Sequence, residues 1–112
     1  MPILHADYSI IDYEKMAETI GLKPKHIPML VESFLEETLL ILNSLQLSIN
    51  DMDYEKIESQ AHAVKGSAGN LRFNEIYEMA NEIEESAAKQ NAGFEYQLYF
   101  DAIKSALGTI SL

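Results

Sequence analysis

Apolar residues recur along this chain three and four positions apart, and no stretch alternates with period two. Five segments carry that helical beat. Ser9 is placed to cap a short helix over residues 10–20, with Asp12 as its capping-box partner and Gly21 as its stop. Tyr13, Met16, Ala17 and Ile20 give it one apolar face. Pro24 and Pro28 suit a turn and the first turn of a second helix, over 27–48. That helix turns Leu30, Val31, Phe34, Leu35, Thr38, Ile41, Leu42 and Leu45 inward. Leu39, Leu40 and Leu47 widen its apolar face past half the circumference, so it is either central to a bundle or partly used for docking; wide apolar faces are commoner in cores.

The turn at 50–53 offers Asp51 or Asp53 as the cap of a third helix, over 54–72. Ile57, Ala61, Val64, Ala68 and Leu71, spaced 4, 3, 4 and 3, form its buried stripe. Asn74 caps a fourth helix to about 89, with Ile76, Ala80, Ile83 and Ala87 as its stripe. After a turn at Asn91, Ala92 and Gly93, a fifth helix over 94–108 buries Tyr96, Phe100, Ile103 and Leu107. Short loops and the absence of repeats predict an all-α fold: an up-down antiparallel four-helix bundle with an additional short N-terminal helix across one end. Residues 1–112 form a single domain with a core over about 10–108.

Composition narrows the possible functions. At 112 residues the chain supports one modest core. It is 47% hydrophobic, but its longest apolar cluster, at 39–42, is far too short for a membrane span, and no signal peptide is visible. The absence of cysteine excludes disulfides and thiolate metal sites and fits a cytoplasmic protein. A net charge of −10 argues against nucleic acid or an anionic membrane as partner and suits a monomer that meets its partner through one patch.

The stretch 61–71 stands apart, because Gly66 and Gly69 fall inside a helix that each should weaken by roughly 0.5–1 kcal/mol relative to alanine. A lone surface histidine is usually just solvated, and a glycine near a helix end is usually a cap. Here the stripe runs on through Ala68 to Leu71, so capping explains the glycines poorly. At about 100° per residue, with Ile57 at the origin, His62 falls near 140°, Gly66 near 180°, Gly69 near 120° and Lys65 near 80°. His62 therefore points off the core, cleared by glycine and with a cation one turn on. Neutral imidazole is a nucleophile near neutral pH. Phosphoryl transfer to it needs in-line access, room for three equatorial oxygens and charge compensation. His62 offers the access, Gly66 the room and Lys65 the charge, while Ser67, near −80° (about 280°), lies on the far flank and serves packing.

His62-x-x-Lys65-Gly66-Ser67-Ala68 resembles the signature of histidine-containing phosphotransfer (HPt) domains, the small helical carriers of multistep phosphorelays. Phe34, the Leu45 region, the acidic turn at 51–53 and Ala61 also fall where such domains have comparable residues, so the likeness spans about 10–107. It implies a phosphohistidine carrier with no nucleotide site, metal site or cofactor of its own, and a response-regulator receiver domain or hybrid histidine kinase as partner. The receiver would bring the aspartate and Mg²⁺. The resemblance also implies a Gln or Glu on the next helix that bonds the imidazole nitrogen left unphosphorylated. Counted without gaps that residue is Glu84, which otherwise belongs to the acidic run 82–85. Most members have glycine where this chain has Arg72, which puts the end of the histidine helix in question.

Other helical readings fit less well. A histidine-kinase dimerisation domain usually has an acidic residue directly after its histidine and a proline soon after; here Ala63 follows and no proline does. The phosphotransfer domain of a chemotaxis-type or hybrid kinase is nearer in motif and would be part of a longer chain. A non-catalytic, receiver-binding bundle is the third possibility, against which the intact His62, Lys65 and Gly66 weigh. His5 and His26 are isolated, and no inward-facing Glu/His pairs suggest a metal bundle.

Overall fold

A computed structural model describes residues 4–110, and among these there is no strand. The helices are α1 (Tyr13–Ile20), α2 (Ile27–Asn50), α3 (Tyr54–Asn70), α4 (Asn74–Ala88) and α5 (Tyr96–Gly108), with a 3-10 turn over Pro24–His26. Each of α2 to α5 packs on its sequence neighbour and α5 returns to α2, which closes a four-helix ring; α1 lies against α2. The α3–α4 pair is the most extensive contact.

The stripes on the helices meet in one core. Ile57, Ala61, Val64 and Ala68 of α3 are fully buried, as are Ile76, Met79, Ala80 and Ile83 of α4 and Ile103 of α5. From α2 come Ile27, Val31, Leu42 and Leu45, while Leu30, Leu35 and Ile41 are only half-buried. The wide apolar face of α2 is not all core: Leu39, Leu40, Leu47 and Met29 are exposed. Thr38 is fully buried in this helix, and its hydroxyl has no hydrogen-bond partner.

The helix ends differ from the sequence expectation at several points. Asp12, not Ser9, caps α1, accepting the Lys15 N–H at 3.0 Å, because its backbone is extended there and the helix begins at Tyr13. Ser9 instead donates its N–H to Asp7 Oδ1. Asp53 caps α3, accepting from Lys56 N, whereas Asp51 closes α2. Asn74 is the first residue of α4 rather than its cap; the buried Phe73 occupies the cap position and makes no side-chain bond there. The last helix starts at Tyr96, whose hydroxyl donates back to Asn91 O.

α3 ends two residues earlier than expected, and Arg72 is the reason. It adopts a left-handed φ of 62°. Its N–H donates to Gly69 O and that of Phe73 to Ala68 O, the double closure of a Schellman motif in which glycine usually takes the left-handed position. Met52 after α2 and Gln90 after α4 are left-handed in the same way. The N-terminal segment is pinned to this end of the bundle. Tyr8 donates its N–H to Thr109 Oγ1 and its hydroxyl to Glu75, and its ring lies 4.7 Å from that of Phe73.

Candidate functional site

His62 sits on the outward side of α3, between buried Ala61 and Val64, and its side chain is 71% exposed. The packing of α3 on α4 brings Glu84 to it. Glu84 Oε2 lies 2.7 Å from His62 Nδ1, and Oε1 accepts from Lys65 Nζ at 2.6 Å. A carboxylate only accepts, so Nδ1 is the protonated nitrogen of this tautomer and Nε2 carries the free lone pair. Glu84 is 14% exposed and Lys65 19%, so the bridge is largely sheltered while the ring it holds is open.

Charge follows from that geometry. Burial pushes the Glu84 carboxyl up, but the bonds from Lys65 and His62 and their charges outweigh it, and the net direction is below the ordinary carboxylate value. The bond to Glu84 holds the Lys65 ammonium above its usual value against a smaller effect of burial. Lys65, which the sequence offers as compensation for phosphoryl charge, is here engaged by Glu84. Its Nζ also reaches Asn81 Oδ1 at 3.4 Å and lies 6.0 Å from the centre of the Tyr77 ring.

The two glycines have different surroundings. A Cβ on Gly66 would meet nothing within 4 Å, and its backbone is ordinary helix, so nothing inside the protein requires glycine there. A Cβ on Gly69 would sit 3.2 Å from Tyr77 Cδ2. Gly69 therefore lets the Tyr77 ring lie close over α3, on the same side as Lys65. Tyr77, Asn81 and Glu84 are spaced 4 and 3 on one face of α4, a signal visible in the sequence that only the pairing of α4 with α3 makes meaningful.

Beside His62, a shallow recess of about 290 Å³ is lined by Glu55, Glu58, Ser59, His62 and Glu84. Sequence reasoning did not single out Glu55 as part of this setting. Ser67 lies on the opposite flank, in a recess against α2 with Leu30, Ser33, Phe34 and Glu37. The flanks of α2 follow from two bonds: Ser48 donates to Gln60 of α3, and Gln46 pairs with Gln97 of α5. At about 100° per residue, Met29 and Leu47 then point straight out, Leu40 lies about 20° from them on the α3 side, and Leu39 turns toward α5. His5 and His26 are exposed and lie in the N-terminal segment and the 3-10 turn.

No helix among the described residues is long and apolar enough to cross a membrane. No curated protein and no solved structure gave a match to this chain. The family model of the Hpt domain matches residues 29–111, well over half of the chain and all of α3, α4 and α5. With the all-helical ring, the chain therefore belongs to the Hpt domain family, the phosphocarriers of phosphorelay signalling.

Proposed function

We propose that this protein carries a phosphoryl group on Nε2 of His62, accepted from the phosphorylated aspartate of a receiver domain and passed to another. The observation that supports this most is the bond from His62 Nδ1 to Glu84. It turns Nε2, with its lone pair, to the open face of α3. In the transfer, the Nε2 lone pair forms the N–P bond while the acyl O–P bond breaks and its electrons stay on the aspartate. The Nδ1 proton remains on the ring, where Glu84 offsets the positive charge that the ring gains. Gly66 leaves space for the approaching phosphoryl oxygens and for the partner's backbone. Lys65 is the cation of the group: it holds Glu84 before transfer and offsets phosphoryl charge after it.

The partner is a response-regulator receiver domain, free or within a hybrid histidine kinase, and it brings the aspartate and the Mg²⁺ on which the chemistry depends. It docks on the small-residue face of α3 around His62, Ala63 and Gly66, with Leu40 as the apolar contact from α2. Leu39, turned toward α5, takes no part. The carrier works as a monomer.

The test is incubation with Mg²⁺-loaded, phosphorylated receiver domains, scoring acid-labile, base-stable phosphate on the wild type and on His62→Gln. Label on the wild type that is lost in the variant supports the carrier. No label across a panel of receivers, with the helical fold intact, leaves only a receiver-binding bundle.

A further inference from the structure

Negative charge surrounds the proposed phosphoacceptor. Glu55 and Glu58 precede His62 by seven and four residues and share its side of α3, and with Glu84 they line the recess that contains the ring. Outside the recess, Glu85 of α4 accepts from the Asn81 amide at 3.5 Å. Against these stands one ammonium, that of Lys65, already bonded to Glu84 and Asn81. Glu55 and Glu58 are exposed, and among the described residues neither is in an ion pair. A phosphoryl group on Nε2 brings up to two further negative charges to this side of the helix.

We propose that Glu55 and Glu58 set the transfer equilibrium: they raise the free energy of phosphorylated His62 relative to the free imidazole and so drive the phosphoryl group out of the carrier onto the receiver aspartate. The inference rests on the carrier reading of His62. The group acted on is the phosphoryl bound to His62 itself, not an ion held among the carboxylates. In the favoured direction the P–Nε2 bond breaks, its electrons return to Nε2 as the lone pair, and a carboxylate oxygen of the aspartate forms the new bond to phosphorus. The Nδ1 proton stays on the ring throughout, donated in its hydrogen bond to Glu84. Like charges near the transferred group act on the two ends of this exchange unequally, because only one end lies beside Glu55 and Glu58.

The equilibrium ratio of phosphorylated carrier to phosphorylated receiver isolates this effect from docking. A weaker or stronger complex changes forward and reverse rates together and leaves the ratio of the free species unchanged. The experiment equilibrates the carrier with a Mg²⁺-loaded receiver that labels His62, at concentrations too dilute for the complex to accumulate. It is run for the wild type, Glu58→Gln, Glu55→Gln, the double variant, and Glu14→Gln on α1 as a charge control. Each single neutralisation at the recess should shift the ratio toward phosphohistidine by about two- to fivefold, as for exposed charges at close range, with the double variant shifting it further. The shift should shrink between about 0.05 M and about 0.5 M salt, and the control should leave the ratio unchanged. Label on His62 with a ratio that Glu55→Gln and Glu58→Gln do not move, or that Glu14→Gln moves equally, overturns this inference and leaves the carrier standing. No label on the wild type overturns the carrier reading and the inference with it.

Discussion

The two flanks of α3 are built in opposite ways. Toward α4, Lys65, Tyr77, Asn81 and Glu84 are bonded or packed, and a Cβ on Gly69 would sit 3.2 Å from the Tyr77 ring. Toward solvent, Gly66 and His62 stand with nothing folded over them. Two glycines three residues apart therefore have different physical meanings: one answers a neighbour inside the molecule, the other has none. A small residue kept where the fold does not require it points to something outside the fold, here the proposed docking partner. The crowded flank holds the ring, and the bare one is where it would react.

Substitutions on the two flanks should separate in kind. Gly66→Leu should reduce transfer from a phosphorylated receiver by about 100-fold, the scale of a misplaced reacting pair, without loss of stability. Unfolding and transfer measured on one preparation check both halves; a loss of stability would mean that the bare flank is not bare. Glu84→Ala should lower the transfer rate by about 10–100-fold, as removal of a ring-orienting partner does, with Glu84→Gln keeping most of it.

Acid should show the same bond. Because the bonds from Lys65 and His62 hold the folded Glu84 carboxyl below the ordinary carboxylate range, the unfolded chain binds the proton first as pH falls. Its contribution is thus complete above the ordinary carboxylate range and is lost as pH drops through the folded value. Between about pH 5 and pH 3 the wild type should lose stability more steeply than Glu84→Gln, measured by urea unfolding.

Smaller changes sharpen the contrast between the glycines. Gly66→Ala should stabilise by about 0.5–1 kcal/mol from helix propensity alone. Gly69→Ala should yield none of that gain, since the added Cβ presses Tyr77 away from α3. Equal effects in denaturant unfolding would erase the distinction. Smaller again, Arg72→Gly should stabilise by about 0.5 kcal/mol: relief of left-handed strain, about 1 kcal/mol, is partly offset by loss of the Arg72 Nη1 bond to Gly69 O.

Local features of this fold were legible in the sequence, and features made by pairing were not. The stripes on α3 and α4 are periodic over several turns, so the helices and their buried faces followed directly. Ends depend on backbone angles at single residues. Ser9 and Asp12 are both good caps, and nothing in their order shows which one the extended backbone will use. Asn74 looks like a cap but lies inside α4, because burial of Phe73 fixes where the chain turns. The departure at Arg72 marked the right place, and its left-handed angle supplies the physical reason why glycine suits that position.

At the candidate site, His62 and Gly66 could be placed from the wheel of one helix. Glu84 was reached through family resemblance, and the structure puts its carboxylate on the ring. The engagement of Lys65 by Glu84 and Asn81 depends on the register of α4 against α3, which no single helix encodes. Leu39, Leu40 and Leu47 were hard to read for a related reason: the hydropathy of α2 is the same whether an outward leucine is meant for solvent or for a partner.

The most direct test of the account is nuclear magnetic resonance of the His62 imidazole nitrogens in protein labelled by a phosphorylated receiver. The account predicts phosphorus on Nε2 and a proton retained on Nδ1, its signal shifted by loss of the Glu84 bond in Glu84→Ala. Phosphate on Nδ1, or on a residue other than His62, would contradict it.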